Sequence, residues 1–388
     1  VSVPQGLSEA AAVIFYVFLA GGALAVVEAT GAIGRTLDHV MWRFGNKPFI
    51  VLLLSSILFL IGGSTYGMYE EILALIPVMC GLMKRLGLGN EMAIGVSLGT
   101  ASVASNFSPF NTFGLGISQP IAELPLFSGF AFRAAVFALA MIIWFGYLGW
   151  YAVRYRKITG TLDESIRPDH VGKWKRQDIA VVLVFNGGLA GVVIGAIVGH
   201  WDLPEFGAIF LVVGFLAGLA GGLGWRGTAE QLAEGFRRIA LACLLIGMAR
   251  AISVVLSRGE VLDTIANALF SPLQHLPLGA TAVMMMVSES VMCFPMPSDS
   301  GRAMMSLPIL IPLSDLLHLS RQMAVNAFLY GGVAGLITPT SGGMLAILSL
   351  AGVSFSRWLR FIAIPFAILF ALAVAAIDRK STRLNSSH

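Results

Sequence analysis

The segment "FPMPSDSGRAMM", residues 294–305, sets Ser298, Asp299, Ser300, Gly301 and Arg302 between two apolar runs, "LGATAVMMMV" and "SLPILIPL". Asp299 and Arg302 stand three residues apart, so a helix that starts here brings carboxylate and guanidinium within reach of each other. Two readings follow. The pair fixes the tip of a hairpin, or Arg302 turns its planar fork toward a carboxylate that arrives from outside. Three other segments place similar side chains in similar settings: Ser64 and Thr65 in "GGSTYGMYEE", Asn106, Ser108, Asn111 and Thr112 in "SNFSPFNT", and Thr338, Thr340 and Ser341 in "ITPTSGG". Hydroxyl, amide and carbonyl oxygens suit a hard cation such as Na⁺. Ser64, Asn106, Ser298 and Thr340, one from each segment, are the candidate ligands of a coupling ion.

Arg250 lies in the middle of "IGMARAISVV". A central arginine costs about 2.5–3.5 kcal/mol on insertion scales, so it should face protein, water or substrate. Its function is a substrate or helix-end contact, or else a structural pair with Glu289 or Asp299. Cys80, Cys243 and Cys293 lie singly in apolar runs and the six histidines are scattered, so Na⁺ is the only metal indicated. Asp299 is the one central aspartate, and no histidine flanks Ser298 or Ser300, which argues against an intramembrane enzyme. The expected chemistry is binding: no catalytic residue, no cofactor, and Na⁺ or H⁺ as the ion. Channels favour rings of like charge along a continuous polar pore. A Na⁺/H⁺ antiporter or ion channel without organic substrate is the alternative.

The elements that must position these residues are membrane helices. The chain has 388 residues, 57% of them hydrophobic and 12% charged, and its mean hydropathy is +0.83. Soluble domains are about 25% charged. Only helices and closed barrels satisfy their backbone in lipid, and runs such as "VVLVFNGGLAGVVIGAIVG" lack the alternation of a barrel. The expected fold is an all-α polytopic membrane protein. Clear spans are predicted at 10–33, 131–153, 179–199, 204–223, 235–257 and 357–377. The run 48–61 gives roughly 21 Å of helix, short of the hydrocarbon core of about 30 Å. It stops at a glycine-rich tip and resumes, which describes a re-entrant hairpin over 48–84. Residues 279–316 repeat the pattern. Two further segments, 91–118 and 320–352, are long enough to span but carry a proline with clustered Ser, Thr, Asn or Gly near the middle, which predicts broken helices.

These pieces form an internal repeat. "LGLGNEMAI" from Leu86 aligns with "LHLSRQMAV" from Leu317, Pro109 with Pro339, tip Gly67 with Gly301, and Gln5 with Glu234, at offsets of 231, 230, 234 and 229. The organisation read from this is a first repeat over 1–153, a cytoplasmic loop with two Gly-rich linking spans over 154–233, a second repeat over 234–377, and a non-native tail at 378–388. "WRGTAEQLAEGFRR" is expected as an interfacial amphipathic helix. With the basic loop 154–176 inside, seventeen Lys and Arg fall on the cytoplasmic side and Arg133, Arg258 and Arg321 outside. The two repeats then have inverted topology, a transporter arrangement. Gly187, Gly191, Gly195 and Gly199, with Gly214, Gly218 and Gly222, allow close packing either of the two linking spans or at a dimer seam. The net charge of +4 falls to +2 without the tail, so nucleic acid is not an expected partner.

The order of "GSTYGMYEE", "SNFSPFNT", "ARAISVV", "PSDSGRA" and "ITPTSGG" resembles that of the YfcC-like transporters of the anaerobic C4-dicarboxylate carrier family, within the ion transporter superfamily. The resemblance implies a first span that this chain lacks. It also implies a homodimer with separate scaffold and transport regions, and carriage of C4-dicarboxylates or amino acids across the bacterial inner membrane. The family's second tip usually has small or neutral residues where this chain has Asp299 and Arg302. The topology has a direct test. Cysteines introduced at 158–170 should react with an impermeant reagent only from the cytoplasmic side, and cysteines at 272–277 only from outside. Labelling of both from one side contradicts the inverted arrangement.

Overall fold

The computed structural model describes residues 2–32, 35–36, 48–69, 72–111, 114–125, 127–159, 175–198, 201, 203–261, 264, 268, 271–276 and 278–385, with some side chains, Arg250 and Ser300 among them, outside the description. Glu70, Glu71, Thr112 and most of the basic loop also lie outside it. The described residues are helical, with no strand among them.

The first repeat begins with α1 (Ser2–Glu9) and α2 (Ala11–Ala29), bent by 59° at their junction. A hairpin follows, α3 (Pro48–Tyr66) and α4 (Ile72–Arg85). The broken helix is α5 (Asn90–Ile94), a π-helical segment (Gly95–Gly99) and α6 (Thr100–Phe107), then an unwound stretch and α7 (Gly114–Ile121). α8 (Phe130–Thr159) closes the repeat. The linking spans are α9 (Arg176–Val198) and α10 (Leu203–Ala220).

The second repeat begins with α11 (Gly224–Arg258), continues with the hairpin α12 (Leu278–Met292) and α13 (Asp299–Leu316), and then breaks again. Here α14 (Arg321–Gly331) tightens into a 3₁₀ segment (Gly332–Ile337), unwinds, and resumes as α15 (Gly342–Ala351). α16 (Phe355–Asn385) ends the chain's described part. Among the described residues, four stretches are long and apolar enough to cross a membrane, in α8, α10, the broken run from α14 to α15, and α16, or five if α1 and α2 form one bent span.

The expected interfacial helix is not a separate element. "WRGTAEQLAEGFRR" is the first part of α11, continuous with the span after it. At 1.5 Å per residue, its 35 residues reach well beyond a hydrocarbon core of about 30 Å. The polar part carries Arg226–Glu230 and Arg237–Glu234 pairs within the helix, and Arg238 lies 3.7 Å from Glu28 of α2.

Small residues set the packing. A Cβ on Gly235 of α11 would lie 2.6 Å from the Cα of Gly22, and one on Gly6 of α1 would lie 2.5 Å from the backbone nitrogen of Ala251. α1, α2, α10 and α11 therefore form one closely packed group. The two linking spans do touch each other, with Gly188 and Gly191 under Val213 and Ile209, but Gly214 and Gly218 turn to Ala23 and Val26 of α2.

In each repeat the first hairpin arm meets the broken helix through a glycine. A Cβ on Gly63 of α3 would stand 2.3 Å from the carbonyl oxygen of Ala101, and one on Gly331 of α14 would stand 2.8 Å from that of Met286. Trp144 of α8 donates to Thr100 at 3.0 Å, and Trp358 of α16 donates to the Leu336 carbonyl at 2.8 Å, so each closing span bonds to its own repeat's broken helix. Gly63→Ala and Gly331→Ala should each destabilise the protein by about 1–3 kcal/mol through overpacking. Gly146→Ala, which meets nothing within 4 Å, should be neutral or stabilising. Melting in detergent checks all three.

Candidate functional site

Proline, serine and glycine break these helices where a continuous ladder of hydrogen bonds would otherwise run. Irregular backbone at membrane depth must be satisfied by protein or by a water-filled cavity. In the first repeat Ser108 ends α6, and its hydroxyl donates to the carbonyl of Ser64 in the hairpin at 2.6 Å. Asn111 donates to the Ser105 hydroxyl at 2.7 Å and to the Gly63 carbonyl at 3.5 Å, and accepts from the Gly114 N–H at 3.0 Å, fixing the start of α7. At the tip Gly67 has φ +77°, a left-handed conformation that glycine adopts freely.

In the second repeat Thr340 donates to the carbonyl of Phe294 in the hairpin turn. Ser298 caps α13 by accepting from the Gly301 N–H at 3.3 Å, and Ser341 caps α15 by accepting from the Met344 N–H at 3.4 Å. Gly301 is not the counterpart of Gly67 in shape. It sits inside the first turn of α13, without positive φ.

The two repeats meet at these breaks. The hydroxyls of Tyr69, in the first hairpin, and Ser341, in the second broken helix, are 2.9 Å apart. Asn106 and Arg302 approach the same point: a Cβ on Gly332 would lie 2.1 Å from Asn106 Oδ1 and 2.9 Å from Arg302 Nη2. Gly332 leaves room for both.

Arg302 is the centre of the site. It donates to Glu289 Oε2 at 2.8 Å, to the Phe328 carbonyl at 3.1 Å and to Asp299 Oδ1 at 3.0 Å, and its guanidinium lies 4.4 Å from the centre of the Phe328 ring. Side-chain exposure is 2% for Arg302 and 0% for Glu289, but 52% for Asp299. The Asp299–Arg302 pair suggested by spacing is present, yet the buried partner is Glu289, thirteen residues away on the other hairpin arm. Glu289 interrupts the run "MMMVSESVMCF", and an intramembrane carboxylate is itself a signal of function.

The remaining site candidates are placed as follows. Thr65 and Thr338 donate back to the Ile61 and Ala334 carbonyls of their own helices. The hydroxyls of Ser64 and Thr340 and the amide of Asn106 also donate to main-chain carbonyls. The four candidate ion ligands are thus distributed over both repeats, with Asn106 Oδ1 and Arg302 Nη2 both beside Gly332. Arg250 belongs to α11, beside the Ala251 that packs on Gly6 of α1, and its side chain lies outside the description.

Each broken helix also begins where the other ends. Asn90, at the start of α5, donates to the carbonyl of Ala351, the last residue of α15, at 2.7 Å. Arg321, at the start of α14, donates to the carbonyl of Ala122 just past α7 at 3.2 Å. Asn90 and Arg321 are equivalent in the sequence repeat. The next equivalent pair, Glu91 and Gln322, meets the closing spans: Arg357 of α16 lies 2.9 Å from Glu91, and Arg133 of α8 donates to Gln322 at 3.0 Å and to Asn326 at 3.1 Å. Arg133, counted on the outer side, is 0% exposed and is a buried residue of the repeat contact.

The profile of the C4-dicarboxylate anaerobic carrier family matches residues 2–378. The chain is 28% identical to "Putative basic amino acid antiporter YfcC" of Escherichia coli (strain K12), over 95% of this chain and 77% of that one. It is 26% identical to an uncharacterised protein of Haemophilus influenzae, over 93% and 74%. Among solved structures, the YdaH transporter of Alcanivorax borkumensis matches with a TM-score of 0.45 at 14% identity, over 97% of this chain and 86% of that one.

The ion pair has a thermodynamic test. Arg302→Gln strands Glu289 and should cost about 3–5 kcal/mol, and Glu289→Gln with Arg302→Gln should recover most of it. Asp299→Asn should cost at most about 1 kcal/mol, because Asp299 is half exposed. Thermal melting of the three variants in detergent measures the coupling.

Proposed function

Because the chain belongs to the C4-dicarboxylate anaerobic carrier family, a transport family of multi-pass membrane proteins and not of enzymes, we propose that it is a secondary active transporter working by alternating access. Its substrate is a small carboxylate-bearing metabolite, a C4-dicarboxylate or an amino acid. It moves this substrate across the bacterial inner membrane as a homodimer, with Na⁺ or H⁺ coupling or by exchange. The observation that carries the reading is Arg302, a buried guanidinium at the point where a hairpin tip and both broken helices meet. Its fork suits the two oxygens of a carboxylate. Carriage of a carboxylate therefore requires exchange of partners: the substrate takes a place that Glu289 or Asp299 holds in this conformation. The family description names dicarboxylates and the Escherichia coli relative's name gives basic amino acids; both substrate classes share the carboxylate.

Proteoliposomes loaded with unlabelled metabolite should take up labelled succinate, aspartate or arginine. Arg302→Lys keeps the charge but loses the fork. It should lower uptake by about tenfold or more, since a charge-assisted hydrogen bond contributes about 1.5–3 kcal/mol. Dissipation of a Na⁺ or H⁺ gradient with no organic uptake would favour an antiporter of ions alone.

A further inference from the structure

Resting on the reading that Arg302 receives the substrate carboxylate, we propose that Glu289 is the proton-binding group of the transport cycle: the substrate carboxylate displaces Glu289 from Arg302, and Glu289 takes up one proton as it leaves. The first support is charge. Arg302 and Glu289 are both buried, and Asp299 is the second carboxylate on the same guanidinium. One positive charge thus already faces two negative ones. A substrate carboxylate would add a third, in a place where unpaired charge is strongly penalised. A proton on Glu289 cancels the addition, and the net charge of the site is the same before and after binding.

The second support is geometry. Glu289 Oε2 accepts from Arg302 Nη1 at 2.8 Å, while Oε1 is buried and free of the guanidinium; the polar side chain beside this carboxyl is Ser306, whose hydroxyl donates to the Arg302 carbonyl at 2.8 Å. Oε1, the oxygen that Arg302 does not hold, is the atom where the proton is placed. The step is an acid–base exchange. An O–H bond forms at Oε1, the Glu289–Arg302 ion pair separates, and Arg302 Nη1 is released to the substrate oxygen. The proton comes from water on the side to which the site is open, and is returned when substrate leaves. Asp299 holds Nη2 at 3.0 Å and the Phe328 carbonyl holds Nη1 at 3.1 Å, so the fork keeps its orientation during the exchange.

Among the described residues, the titratable and charged groups around Glu289 are few. α13 presents Arg302 and Asp299. On α14 the residue against Glu289 is Gly331, whose Cβ would stand 2.7 Å from that of Glu289; its neighbour Tyr330 stacks on Phe107. The turn after α12 supplies Cys293, whose thiol donates to the Glu289 carbonyl at 3.5 Å. From α16, which also packs on α12, Arg357 is engaged by Glu91. Arg302 and Asp299 are therefore the charges that govern this carboxyl. Of the candidate Na⁺ ligands, Asn106 Oδ1 lies in the space beside Gly332 that the Arg302 cation also occupies, which disfavours a second cation there.

By linkage, binding that takes up one proton strengthens about tenfold for each pH unit of acidification while free Glu289 is ionised. The full chain in detergent is titrated calorimetrically with succinate and with L-arginine, between about pH 7 and 9, in buffers of different ionisation enthalpy. The expected result is uptake of about one proton per bound probe and affinity that falls about tenfold per pH unit. Glu289→Gln should bind with neither proton uptake nor this slope, and Glu28→Gln should keep both. Binding to the natural chain without proton uptake or slope overturns the inference and leaves the carboxylate site standing. Binding of neither probe removes that site and the inference with it. The natural chain alone decides the matter if Glu289→Gln does not fold.

Discussion

A guanidinium enclosed at membrane depth must have acceptors on every side it presents, because water is not there to supply them. Arg302 obtains them from three elements. Glu289 comes from the first arm of the second hairpin, Asp299 from the start of the second arm, and the Phe328 carbonyl from the broken helix. One side chain thereby ties the hairpin to the helix it packs on. The same side chain reaches Gly332, where Asn106 enters from the first repeat. A substrate that takes one acceptor's place on Arg302 alters contacts in all of these elements together. That link between a bound charge and a packed structure is what alternating access requires of a site.

The rest of the fold answers the same constraint on the backbone. Every interruption of a helix frees donors and acceptors, and here freed groups are met both within each repeat, by Ser108 and Thr340, and across the pseudo-symmetry, by Asn90 and Arg321. Ser108 serves the Ser64 carbonyl, Thr340 the Phe294 carbonyl, Asn90 the end of α15 and Arg321 the end of α7. The repeats thus complete each other, and neither broken helix ends in solvent-free space without a partner from the chain. The symmetry fails at one informative place. Arg357 meets a carboxylate, Glu91, where its counterpart Arg133 meets the neutral Gln322 and Asn326. The two ends of the molecule therefore differ in charge as well as in sequence.

Much of this was legible in the sequence, for identifiable reasons. Charge content set the class, and proline within clusters of serine, asparagine and glycine marked the breaks, because both effects are local. The Asp299–Arg302 contact was readable for the same reason: three residues is a helical spacing. The dominant partner was not readable, since Glu289 reaches Arg302 only when a hairpin folds back. The Tyr69–Ser341 contact joins residues in different repeats, and no spacing rule reaches so far. The burial of Arg133 is not readable from its place near a span end, because Gln322 and Asn326, which remove it from solvent, come from the other repeat. Gly301 was matched to Gly67 by position, although one starts a helix and the other turns the chain.

The central claim is that the two broken helices meet at the site, one from each repeat. A pair of cysteines tests it most directly. A Cβ on Gly332 would stand 3.3 Å from Asn106 Cγ, close enough for Asn106→Cys and Gly332→Cys to be tested for a disulfide. In a background with Cys80, Cys243 and Cys293 replaced, mild oxidation of membranes should join the two cysteines, and reduction should part them. Two thiols that stay free to alkylation after oxidation, in a folded chain, would contradict the account.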